Sequence, residues 1–237
     1  MKIPNLTVIT LTSDHHNWLL KGFCRQWQKY CPLDAGIYGF TAVDIPGFEF
    51  HSIGRFEDYP VQKWSDGLIE TLNRIKTEFA LILLEDYWLI RPVNVNAIAT
   101  AVQIMEEEPD IARFDVATDR VNCHQARDYG FINGLDIIST PIGAEYNFSY
   151  QASIWSVEKL KKLIVPGESP WESELRGNLR LASRGYKVLG TRQVPMWYAI
   201  VMNKGQFDKT GTWMFPARTL YSDDWKDLEE NDCLKTT

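Results

Sequence analysis

Apolar positions along this chain fall into two kinds of pattern, short continuous runs and longer stretches repeating every three or four residues. Leu6-Thr7-Val8-Ile9-Thr10-Leu11 is apolar and β-branched and predicts a first strand. Asp14 follows as a candidate helix cap, and Leu19, Phe23, Trp27 and Tyr30 then recur at spacings of four, four and three, one face of a helix that Pro32 ends. Leu33 to Phe40 predicts a second strand. Residues 44–59 are rich in turn formers and are expected to be irregular. Pro60 suits a first helical position, with Val61, Trp64, Leu68, Leu72 and Ile75 as the buried stripe. The clearest signal is Phe79-Ala80-Leu81-Ile82-Leu83-Leu84, six apolar residues that stop at Glu85-Asp86. A run that short and continuous suits a strand buried on both faces of a parallel sheet.

The second half repeats these themes. Asn94 caps a helix with Val95, Ile98, Val102 and Met105 inward, and Ile111 to Val116 predicts a strand. Residues 118–146 lack a strong period and read as loops and short edge strands at a pocket rim. Phe148 to Trp155 predicts a strand leading to a Ser156-capped helix over Val157–Ile164. Ser169, Pro170 and Glu172 form a capping-box signature, with Leu175, Leu179 and Ala182 expected to face inward. Gly185 closes that helix, and Tyr186 to Leu189 returns as a strand. Trp197 to Met202 is apolar before the Asn203-Lys204-Gly205 break. Strand–helix–strand at the start and further alternation afterwards define an α/β chain with a Rossmann-type, mostly parallel central sheet flanked by helices.

Composition narrows this picture. A length of 237 residues, 45% hydrophobic with nine Trp, fits one large domain, read here as residues 1–217. Residues 218–237 are acidic and are expected to form a poorly ordered tail. With 25 basic and 31 acidic residues, the net charge of −6 argues against a broad nucleic-acid surface. Four cysteines without C-x-x-C spacing and four scattered histidines argue against structural zinc. No signal-peptide pattern opens the chain and no apolar run approaches a membrane span, so a soluble, cytoplasmic protein is expected. There is no G-x-S-x-G elbow, no G-x-G-x-x-G after a strand and no P-loop.

Four features carry the candidate chemistry. They are Thr12-Ser13-Asp14 after the first strand, Glu85-Asp86 after the buried strand, the acidic helix start Trp171-Glu172-Ser173-Glu174, and Lys204-Gly205. Carboxylates at strand ends sit where open α/β sheets bind ligands, and buried charge there calls for a cation or hydrogen-bond donors. Over roughly residues 6 to 206 the arrangement resembles the GT-A class of glycosyltransferases, in which a helix precedes a hydrophobic strand ending in an Asp-rich motif. Here Trp64-Ser65-Asp66-Gly67-Leu68 to Leu84-Glu85-Asp86-Tyr87 resembles that unit, with Glu-Asp-Tyr in place of D-x-D.

The resemblance implies a hexosyltransferase-like enzyme that moves a sugar from a nucleotide-diphosphate donor to a hydroxyl acceptor. It implies Asp86 as ligand to Mg²⁺ or Mn²⁺, hard ions that accept carboxylate oxygens and neutralise a diphosphate leaving group. Thr12, Asp14, Trp64, Asp66 and Glu85 would line the nucleotide-sugar pocket, with Lys204 over the phosphates. Glu172, or Glu174 after it, would be the base for the acceptor hydroxyl. Trp171 would stack on a sugar, and Gln151 would touch sugar or acceptor. The acceptor class stays open among a glycan, a lipid-linked sugar and, against the net charge, modified DNA. Two alternatives remain: a nucleotidyltransferase, whose Gly-rich basic signature is missing after the first strand, and a catalytically silent nucleotide-sugar binder.

Overall fold

The structure, a computed structural model, describes residues 1–203, 205–208 and 222–234. It opens as expected with β1 (Leu6–Leu11), α1 (Leu20–Tyr30) and β2 (Gly36–Gly39). Next comes β3 (Glu49–Ser52), inside the stretch expected to be irregular; it is a partly exposed edge strand without an apolar run to announce it. The chain continues through α2 (Trp64–Arg74), β4 (Phe79–Leu84), β5 (Tyr87–Leu89), α3 (Val95–Glu107) and β6 (Ile111–Asp115). The predicted rim is a hairpin, β7 (Arg127–Ile132) and β8 (Leu135–Ser139), turning at Asn133-Gly134 with φ of 48° and 85°. Asn-Gly suits such a turn because both central residues need positive φ.

After β9 (Ser153–Ser156) come α4 (Val157–Leu163), α5 (Pro170–Ser183), β10 (Lys187–Thr191) and β11 (Tyr198–Ile200). The short β12 (Met202–Asn203) and β13 (Gln206–Phe207) pair with each other, and α6 (Ser222–Glu230) follows.

Nine strands form the main sheet in the order β3-β2-β1-β4-β9-β6-β10-β8-β7. β9 runs against both its neighbours, and β8 against β10 and β7, while the remaining strands share one direction, so the sheet is mostly parallel. β4 explains its own sequence. Phe79, Leu81 and Leu83 pack on one side with Phe23, Trp27, Ile98 and Val102 of α1 and α3. Ala80 and Ile82 pack on the other with Leu68, Leu72, Leu160 and Leu181 of α2, α4 and α5. Both faces are dry, so no alternation survives.

Four local expectations need correction. Asp14 does not cap α1; a 3₁₀ turn over Asn17–Leu19 leads into that helix without a side-chain cap. Pro60 precedes a 3₁₀ turn over Val61–Lys63, leaving Val61 exposed and outside the buried stripe of α2. In α5 the inward residues are Ser173, Gly177 and Leu181, whereas Leu175 and Leu179 point to solvent. The acidic segment, expected to be loose, holds a docked helix. Asp227 of α6 takes two hydrogen bonds from Arg25 at 2.8 and 2.7 Å, and Asp224 takes bonds from Lys29 and Tyr30 at 2.7 and 3.0 Å. Leu228 is fully buried against the core. Cations on α1 thus pair with two of the acids in the segment expected to form a poorly ordered tail. No helix among the described residues is long and apolar enough to cross a membrane.

Candidate active site

Parallel pairing of β1 with β4, Leu11 opposite Leu84, brings their carboxyl ends together. The Glu85 N–H donates to the Leu11 carbonyl at 3.2 Å, and the Trp88 indole donates to the Glu85 carbonyl at 3.1 Å. These bonds fix the turn between β4 and β5 that presents both acids. The buried Glu85 carboxylate meets His16 Nδ1 at 2.9 Å, and this bond holds the imidazole above its ordinary pKa. Among the described residues Asp86 shows no such partner. Burial, with the neighbouring Glu85 charge second, pushes its carboxyl up to about 8, while its backbone carbonyl accepts the Val201 N–H. An acid in this condition stays protonated near neutrality unless positive charge arrives.

The loops after β1 and β2 lie beside this pair. Asp14 accepts the Thr41 backbone N–H at 2.9 Å, the Thr41 hydroxyl at 2.5 Å and the Asn17 amide at 3.3 Å. Thr12 is buried and donates to Asn17 Oδ1 at 3.1 Å. Thr12 and Asp14 therefore join one loop cluster next to Glu85. Trp64, at the start of α2, packs its ring on Tyr150 at 4.5 Å. Asp66 is occupied elsewhere, accepting the Gly167 N–H at 2.7 Å and tying α2 to the loop before α5. Lys204 lies outside the described residues.

A second polar cluster gathers around Tyr87, the residue that follows Asp86. The Glu174 carboxylate accepts the Tyr150 N–H at 2.7 Å, and burial lifts it above the usual glutamate range. The fully buried Arg113 guanidinium contacts Asp119 at 3.0 Å and donates to Ser153 Oγ at 2.8 Å. Tyr87 and Tyr198 stack at 4.6 Å, and Gln151 bridges them, donating to the Tyr87 hydroxyl at 3.3 Å and accepting from the Tyr198 hydroxyl. The Tyr87 phenol is pushed far up, first by burial and then by the charges of Tyr198, Asp86, Glu174 and Asp119. That phenol therefore marks the point where Asp86 and Glu174 come within electrostatic reach of one group.

Glu172 stands apart from this cluster. It completes the capping box, accepting from the Ser169 N–H at 3.1 Å and hydroxyl at 2.9 Å, and these bonds hold it below its ordinary pKa. Trp171 beside it is 67% exposed. Sequence reasoning missed Arg113, Asp119, Tyr87 and Tyr198 and took His16 only as one of four scattered histidines; Arg113 meets Ser153, and Tyr87 meets Tyr198, far along the chain. An Arg in the middle of a buried strand was the one available sign, since an unpaired charge there is costly.

The residues present fit a divalent ion in one limited way. Among the described residues no cluster of three His, Cys, Asp or Glu could enclose an ion, so Asp86 would share it with ligand phosphates and water, as Mg²⁺ commonly allows. A separate cavity of about 310 Å³ is lined by Arg25, Gln28, Lys29 and Asp227. Its Arg25 and Asp227 charges are already paired with each other.

No protein-family model matches the chain, and no curated protein does. Among solved structures it is similar to S. aureus TarS 1-349, alone and in complex with UDP. Each match has a TM-score of 0.52 at 12% identity and covers 81% of this chain and 59% of that one. A cytidylyltransferase from Leptospira borgpetersenii matches over 98% of both chains at 11% identity, with a TM-score of 0.46, too low to weigh. At 12% identity the likeness to TarS shows the fold alone, a GT-A/Rossmann-like α/β architecture with a mostly parallel central sheet flanked by helices. The chain spans about 59% of the TarS length it is compared with.

Proposed function

We propose that this protein is a glycosyltransferase that moves a sugar from a nucleotide-diphosphate donor to a hydroxyl acceptor. The observation that carries the proposal is the placement of the acids: Glu85-Asp86 follow the joined carboxyl ends of β1 and β4, and Glu174 accepts the N–H of Tyr150, whose carbonyl takes the Tyr87 hydroxyl at 3.4 Å. The TarS complex with UDP supports a nucleotide-diphosphate ligand in this fold. In this reading the Thr12–Asp14–Thr41 loops hold the nucleotide, and Asp86 faces the diphosphate. Mg²⁺ or Mn²⁺, when bound, supplies the positive charge that offsets the departing diphosphate.

Glu174 is assigned as the base that takes the acceptor hydroxyl's proton, because burial moves its carboxyl up from the usual glutamate range, the direction that favours a general base. Glu172, held low by its capping bonds, is reassigned to fixing the start of α5. The Tyr87–Gln151–Tyr198 wall orients the sugar, and Asp66 latches α2 to the loop before α5.

The test is a screen of nucleotide sugars for thermal shift and turnover, with and without Mn²⁺, since a ligand that binds only the native state raises the melting temperature. A donor-specific shift that vanishes in Asp86→Ala, with transfer lost in Glu174→Gln but binding retained, is the expected result. Pyrophosphate release from a nucleoside triphosphate and a sugar phosphate would reassign the site to nucleotidyl transfer. Tight donor binding with no turnover for any acceptor would make the protein a silent binder.

A further inference from the structure

The outer face of α5 conflicts with ordinary helix burial. A surface helix turns its large apolar residues to the core, yet α5 turns Ser173 and Gly177 inward with Leu181. Trp171, Leu175 and Leu179 remain 67%, 73% and 72% exposed. Spaced by four, they form one ridge along the helix. The neighbouring loop extends the patch: Asn178 Nδ2 donates to the Ala144 carbonyl at 3.2 Å, and Ile142 and Tyr146 beside it are exposed. Together these five side chains present apolar surface on the order of 600 Å², at the top of what a soluble monomer shows in one patch. That area approaches the ~800 Å² per partner of a standard protein interface.

We propose that this ridge is a homodimer interface in which α5 of one copy packs antiparallel on α5 of the other, across a two-fold axis at Leu175. The flank of the ridge carries the charge pattern that such symmetry uses. Glu172 and Arg176 lie one turn apart on the same side, 3.4 Å from each other, with side chains 46% and 58% exposed. In an antiparallel pair centred on Leu175, Glu172 of each copy comes beside Arg176 of its partner, and Trp171 packs over the partner's Leu179. The isologous contact makes every interaction twice. An anionic lipid surface fits less well, because the flank is mixed in sign and the chain carries a net charge of −6.

Sedimentation equilibrium of the full chain is the test. The expected species has twice the 27.4 kDa chain mass. Leu175→Glu, which places two carboxylates on the dyad, becomes a monomer with an unchanged far-UV circular dichroism spectrum. Glu172→Arg or Arg176→Glu alone weakens the dimer, and mixing the two single variants restores a dimer as the mixed pair, a rescue between chains that repair of the pair within one helix would not give. A wild type that stays monomeric up to roughly 100 µM overturns the proposal, as does a dimer indifferent to Leu175→Glu or a mixture of the two single variants that fails to dimerise. A monomer that sediments with phosphatidylglycerol vesicles through this ridge also overturns it, assigning the face to lipid.

Discussion

Two carboxylates separated by a single residue on α5 are driven in opposite directions by their surroundings. Glu172 receives hydrogen bonds from Ser169 that favour its charged form, whereas burial of Glu174 favours its neutral form. Glu174→Gln is therefore expected to lower kcat of the proposed transfer about 10²-fold or more, the scale of general-base loss, in a steady-state assay. Glu172→Gln should leave kcat close to wild type and cost about 1 kcal/mol of stability, the scale of a helix cap, measured by urea unfolding. Asp86 makes a second prediction, read in metal-free buffer. Its native pKa, about 8 against an ordinary 3.8, means that the fold binds the proton more tightly than the unfolded chain does. The resulting destabilisation is absent below pH 4, grows as pH rises and is complete above pH 8. Asp86→Asn should thus melt above wild type at pH 8 by differential scanning calorimetry, with the difference closing toward pH 4, while any donor-induced shift disappears.

At the scale of elements, α5 shows how packing reverses a propensity. Gly177 in a helix interior would ordinarily gain about 1 kcal/mol on replacement by Ala. Here a Cβ would sit 2.8 Å from the Phe148 ring, and Phe148 is fixed by the core and by its N–H bond to Asn178. Gly177→Ala is expected to destabilise by about 1–3 kcal/mol, the usual cost of overpacking, seen as a lower urea midpoint. Periodicity placed Leu175 and Leu179 inside because three- and four-residue spacing identifies an apolar face without saying what that face meets. The same ambiguity did not touch β4, whose run was apolar on both faces and needed no choice of side.

At the scale of the whole molecule, α6 closes the far side of α1 through Leu228 and the Arg25–Asp227 and Lys29–Asp224 pairs. Leu228→Ala should cost about 2–5 kcal/mol, as deletion of a buried leucine side chain does, visible as a clear drop in melting temperature; a loose tail would give no change. The acidic composition of this segment was legible, but its neutralising partners, about 200 positions earlier, were not. The candidate site behaves likewise. Asp86, Glu85, Thr12, Asp14 and Glu174 were readable because they follow strands or open a helix. Arg113 and the Tyr87–Tyr198 stack were not, because each gains its meaning from a distant contact, and Asp119 gains its own only through the buried Arg113.

The sequence by itself determined the α/β alternation, the buried central strand and the positions of the acids at strand and helix ends, since these follow from spacing within a dozen residues. Tertiary structure decided which acid keeps its proton, which face of α5 looks outward and where the acidic C-terminal segment docks. Burial and opposing charge are properties of neighbours in space, and local spacing does not encode them.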